Sequence, residues 1–220
     1  MAFLDTAGSR DEELSPERAW WLRVPAVLLS PRPVFFALRE DDPDDVGARS
    51  EPLLLIMWLA GTASVLATPA ASGLLDQPEY DSAVLAVWGF IFGGIYGVVG
   101  YFVLGFALLF GTRLLGSLGD FRRARQIVGF AAVPLALSLL VLLPLRLALY
   151  GGDTFRAGGR DEGGGEVAVL ALQLGFAAWS LALLVVAVRV VHGWDWIRST
   201  AAVAAAVGLL AALVASVVLL

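Results

Sequence analysis

The side chains that most often carry chemistry are scarce in this sequence. Cysteine is absent and His192 is the only histidine. Thiolate metal sites, thiol nucleophiles and disulfides are excluded, and a histidine-built zinc site or a serine triad is disfavoured. The acidic stretch from Glu40 to Glu51 lacks the alternation and closing glutamate of a calcium loop, so it reads as a solvated linker. No serine has a base beside it. The pattern points to a protein that is not an enzyme, with no catalytic residue, no metal and no cofactor.

The elements that could hold functional residues follow from hydropathy. Of 220 residues, 59% are hydrophobic and 16% charged, with a mean hydropathy of +0.80. An ordinary soluble domain has about a quarter of its residues charged. A helix needs about 20 apolar residues to cross the hydrocarbon core. Stretches of that kind run from Pro52 to about Ala70, Ala83 to about Leu115, Ile127 to Tyr150, Val167 to Val191 and Ala201 to Leu220. The expected fold is all-α: a polytopic membrane helix bundle with five transmembrane helices and an N-terminal interfacial helical arm. Residues 1–51 form the arm and acidic linker, and 52–220 the transmembrane domain.

The second stretch is too long for one crossing and too short for two. At 1.5 Å per residue it would measure about 50 Å against roughly 30 Å of hydrocarbon, so it must tilt, kink at glycine or extend into the cytoplasm, and extension is favoured. Pro134 and Pro144 in the third stretch are expected to bend it.

Arginine placement gives the orientation, because basic residues accumulate on the cytoplasmic side. All fifteen basic residues are arginines, as a GC-rich codon bias would give. The arm holds Arg10, Arg18, Arg23, Arg32, Arg39 and Arg49; the first loop holds none; the next holds Arg113, Arg122, Arg123 and Arg125. Arg156 and Arg160 are outnumbered by acids in the loop after that, and Arg189 and Arg198 flank the last. The alternation requires an odd number of spans, with the N-terminus cytoplasmic and the C-terminus outside a cell membrane. Residues 1–18 lack the basic start and apolar stretch of a signal peptide, so insertion is expected to begin with the first span. The net charge of −5 implies no nucleic-acid partner.

Serine–proline pairs at Ser15-Pro16 and Ser30-Pro31 mark helix starts in the arm. Trp20, Trp21, Arg23, Arg32 and Arg39 place aromatics and arginines side by side, as in helices lying at the headgroup level. The alternative is a cytoplasmic helical pair packed on the membrane domain. Arg146, near the outer end of the third span, reads as a snorkelling anchor beside Tyr150.

In the second span Gly89, Gly93 and Gly97 recur every four residues, with Gly100 following. Small residues let helix backbones approach closely in lipid, so these four are the candidate helix-packing positions. Packing within the chain and a seam between two copies are both open. The last span is rich in alanine and is a second packing surface. No acid lies near a span midpoint, which disfavours an ion-coupled carrier. Gln173, Ser138, Ser180, Tyr96 and Tyr101 offer interhelical hydrogen bonds. His192 precedes Gly193, which ends one helix, and Asp195 or Ser199 caps the next.

The segment Gly119-Asp120-Phe121-Arg122 through Gly129-Phe130 to Pro134 resembles the central signature of the bacterial Yip1 family. There a Gly-x-Phe-Arg stretch leads into an apolar helix with a Gly-aromatic pair and a proline. The proline-containing arm, five spans and short His-Gly turn also resemble that family over residues 30–210. The resemblance implies a membrane protein without catalytic residues, and the eukaryotic relatives act in membrane trafficking with small GTPases and with one another. Their Asp-Leu-Tyr-Gly motif does not occur here, which argues against a GTPase partner. The implied partners are the lipid bilayer and other membrane proteins, a second copy included, in membrane organisation or trafficking. The rival function is a small-solute or lipid carrier, which requires a cavity between the second and third spans.

Overall fold

A computed structural model describes residues 16–40, 51–68, 71, 74–76, 81–156, 158 and 163–218. Among the described residues there are helices and turns but no strand. The helices are α1 (Pro16–Leu29), α2 (Pro31–Glu40), α3 (Glu51–Leu66), α4 (Ser82–Leu114), α5 (Phe121–Ala131), α6 (Val133–Tyr150), α7 (Gly164–His192) and α8 (Trp196–Val218). Short 3₁₀ turns cover Leu74–Asp76 and Gly151–Phe155.

Local chemistry sets most boundaries. Asp81 caps α4 by accepting from the Val84 N–H at 2.8 Å, and Asp120 caps α5 through the Arg123 N–H at 2.6 Å. Gly193 is left-handed (φ +67°) at the end of α7, letting the Trp194 N–H reach back to the Arg189 carbonyl. Asp195 then caps α8 by accepting from the Arg198 N–H at 2.9 Å.

Four stretches are long and apolar enough to cross a membrane: Ala83–Leu114, Phe121–Phe155, Gly164–His192 and Trp196–Ser216. The expected first span is shorter than its hydropathy suggests. α3 stops at Leu66 because Pro69 disfavours helical geometry at Thr68, whose hydroxyl instead donates to the Val65 carbonyl at 2.7 Å. Its 16 residues measure about 24 Å. The third stretch also differs from expectation. The helix is interrupted at Ala132, and Pro134 takes the second position of α6, where its missing N–H costs little. Pro134 therefore sits just past an interruption at Ala132 that helical hydrogen bonds still bridge, while Pro144 sits inside α6 without breaking it.

α3 is the central element, packed along α4 and α6 and touching α5, while α4 and α6 barely meet one another. α8 lies on α4, and α7 runs beside α6 and α8. α2 docks on α7, and α1 on α2 and α6. Val27, Phe35 and Leu38 from the first two helices join Leu53, Ile127, Phe130 and Val188 in one core, so packing runs continuously across residue 51. Phe35 meets Phe130 edge-to-face at 6.4 Å. Burial is uneven: 61% of the most apolar stretch of α5–α6 is buried, but only 11% of that of α7.

Candidate functional site

The glycine face of α4 lies against α3. A Cβ on Gly93 would collide with the backbone of Thr62, and one on Gly97 with the Met57 carbonyl. Gly94 lies under the Trp58 ring, and Gly89 approaches Leu66, whose Cδ2 would be 3.3 Å from an added Cβ. Gly61 of α3 completes the seam from the other side, facing Gly93 and Gly97 with no room for a side chain. Sequence reasoning missed Gly61, although the run Ala60-Gly61-Thr62-Ala63-Ser64 carried the signal. Gly100 is different, with nothing within 4 Å of an added Cβ. On α8 the close approach is narrow: Gly111 meets the Ala202 backbone, and Ala202 and Ala206 are buried while Ala204 and Ala211 are exposed.

The Gly119–Pro134 segment spans a junction of α4, α5 and α3. Gly119 donates its N–H to the Ser117 hydroxyl at 2.9 Å. The Arg125 guanidinium lies over three rings, 5.3 Å from Tyr101, 4.8 Å from Phe102 and 4.8 Å from Phe121. Its stem fills the space left by Gly105. Arg122 is half-buried, Gly129 packs its backbone against Leu53, and Pro134 is fully buried. Arg125, which the sequence reading counted only as a charge, is the organising side chain of this junction.

The same end of the bundle gathers further arginine–tryptophan pairs. Arg198 donates through Nε to the Leu115 carbonyl at 3.1 Å and also through Nη2, with its guanidinium 4.2 Å from the Trp194 ring. Arg189 lies 4.5 Å from Trp196. The His192 ring packs on Trp194 at 4.7 Å, and its Nδ1 is 3.0 Å from the Val188 carbonyl. Arg39 of α2 lies beside Gly193. Arg23 is half-buried and Arg32 exposed, while the side chains of Trp20 and Trp21 lie outside the described residues.

At the opposite end are two adjoining cavities. One, about 440 Å³, lies beside the last turn of α3 between α4 and α6, with Thr62, Leu66, Gly89, Phe90, Leu143 and Leu147 on its wall. The other, about 230 Å³, lies between α3, α6 and α7 and carries Arg146, Thr154, Glu166 and Gln173. Leu66, Leu139, Leu143 and Phe155 line both. Arg146 is therefore not a simple snorkelling anchor. It is half-buried on a cavity wall, donating through Nη2 to the Thr154 carbonyl at 3.4 Å while the Thr154 hydroxyl donates to the Arg146 carbonyl at 3.4 Å.

Among the described residues no cluster of His, Cys, Asp and Glu could hold a metal ion. The apolar helices, the close-packed glycine seam and the arginine-capped end define a multi-pass helical membrane protein. The family model of the Yip1 domain matches residues 26–219, and the chain belongs to the Yip1 family. The match takes in α2 and the last four residues of α1 along with the membrane helices. No match is found among curated proteins or among solved structures.

Proposed function

We propose that this chain is a non-enzymatic membrane protein that acts by lateral contact with other membrane proteins, or with a second copy, in membrane organisation. The observation behind this reading is α7. It is 29 residues long and apolar, yet only 11% of its most apolar stretch is buried within the chain. The glycine seam is occupied internally, so α7, with Trp179 and Leu181 exposed, is the surface for association. α3 makes the fifth crossing, shielded by α4 and α6. The arm and the arginine–tryptophan end lie at the cytoplasmic face of a cell membrane, and the C-terminus outside.

The test combines topology and association. Single cysteines introduced at Arg39 and Asp76, before and after α3, should label from opposite sides of the membrane, and labelling from one side overturns the five-span arrangement. Replacing Ala178 and Leu181 on α7 with tryptophan should change the oligomer or co-purifying partners while leaving the fold intact. Unchanged association removes α7 as the contact surface.

A second reading, a carrier for lipid or a small solute, draws support from the cavity between α4 and α6. Its apolar wall suits a lipid chain better than a polar solute.

A further inference from the structure

We infer that the two cavities at the end away from the arginine–tryptophan cluster form one binding site for a zwitterionic glycerophospholipid. One acyl chain occupies the apolar cavity and the headgroup the polar one. The inference shares its site with the carrier reading but requires binding alone, not transport.

The cavity arises from helix lengths. α4 and α6 both lean on α3, which ends at Leu66, and beyond that point nothing from α3 separates them. The gap is walled by Gly89 and Phe90 of α4, Leu143 and Leu147 of α6, and Phe155 of the following turn. The space, about 440 Å³, is within the range of small-molecule sites and is open on one side. Its apolar wall favours an apolar guest. Phe90, Ala86 and Leu147 are exposed at its rim, which gives a lateral entrance from the surrounding lipid.

The neighbouring cavity is mixed, adding charged and polar side chains to a wall that is still largely apolar. Arg146 carries a planar, permanently charged fork of the kind that suits a phosphate. One arm, Nη2, donates to the Thr154 carbonyl, and the Thr154 hydroxyl donates to the Arg146 carbonyl. Glu166, in the first turn of α7, lines the same cavity and supplies the negative charge that an ammonium headgroup requires. Gln173 adds a neutral donor and acceptor. The shared wall of Leu66, Leu139, Leu143 and Phe155 joins the polar to the apolar half, which is the layout of an amphiphile.

The full-length protein, purified in mild detergent and exchanged into nanodiscs of mixed phosphatidylethanolamine and phosphatidylglycerol, is released for native mass spectrometry. One retained phospholipid per chain, enriched in phosphatidylethanolamine, is expected. Arg146→Gln should lower retention of both lipids about tenfold, the loss of a charge-assisted hydrogen bond. Glu166→Gln should bring the two lipids to equal retention. Leu143→Trp should abolish retention by filling the chain cavity. A single-chain lysophospholipid should displace the bound lipid from the unsubstituted protein, a check independent of whether that variant folds. No retained lipid, no displacement, or retention indifferent to Arg146→Gln overturns the site. Movement of a fluorescent phospholipid between leaflets of proteoliposomes tests the carrier separately. Binding without movement leaves the site standing, and movement unaffected by Arg146→Gln removes the site while sparing the carrier.

Discussion

Gly97 of α4 faces the Met57 carbonyl of α3 so closely that the smallest side chain would strike it. The contact places the glycine seam inside one chain, and it changes what a substitution there reports. Gly97→Leu or Gly93→Leu should fail as a fold, because inserting a side chain against rigid backbone costs more than the ~1–3 kcal/mol of ordinary overpacking. Thermal unfolding in detergent should show the loss before any change in association is read. Gly100→Leu, with open space around it, should unfold as the unsubstituted protein does. A similar loss for Gly100→Leu would place that glycine in a contact with another molecule.

Phe35→Ala tests whether α2 is part of the fold. Phe35 is fully buried against Phe130, and truncating such a ring costs about 3–5 kcal/mol. The expected result is a marked drop in melting temperature, comparable to that of Leu53→Ala in α3. A neutral outcome would make the first two helices a peripheral attachment.

Arg198→Ala should loosen the end of α4. The guanidinium satisfies the Leu115 carbonyl at a turn where Gly116 is left-handed (φ +86°), and it stacks on Trp194. Loss of about 1–3 kcal/mol is expected, with Arg198→Lys recovering only part because lysine lacks the flat fork. Hydrogen exchange across 112–118 is the readout, and unchanged protection there would deny Arg198 this role.

Arg125→Met keeps the apolar stem over Gly105 and removes the charge above Tyr101, Phe102 and Phe121. A cost of about 1–2 kcal/mol is expected if the cation holds the junction. Gly105→Ala should be worse, since its methyl group collides with the Arg125 stem. Equal stability of Arg125→Met and the unsubstituted protein would leave only the stem as important.

The membrane helices were legible because twenty-residue apolar runs have few other physical solutions. α4 and α7 follow the sequence closely, while α8 begins at Trp196, five residues before the expected Ala201, because Asp195 caps it and Ser199 does not. The first run misled because hydropathy continues through Ala67-Thr68 while Pro69 already dictates a stop. Pro134 marked the place of the interruption, since a proline N–H is missing there, but not that the interruption falls two residues earlier, at Ala132. The site was harder still. Four-residue spacing identifies a glycine face but not its partner, so Gly61 went unread. Arg146 looked like a charge near a membrane surface because only the three-dimensional meeting of α3, α6 and α7 encloses it.

The docking of α2 on α7 has a consequence for biogenesis. Phe35 and Leu38 emerge early, yet the helix that α2 packs against lies more than 120 residues later. At ~5–20 residues per second the wait is on the order of ten seconds, while three apolar helices are already being placed. Phe130 of α5 emerges sooner and meets Phe35, but the part of α2 that packs on α7 must rest on the bilayer surface or on a chaperone until α7 is made. A ribosome stalled before Gly164 should therefore hold a chain whose α2 is cut by protease more readily than in the finished protein.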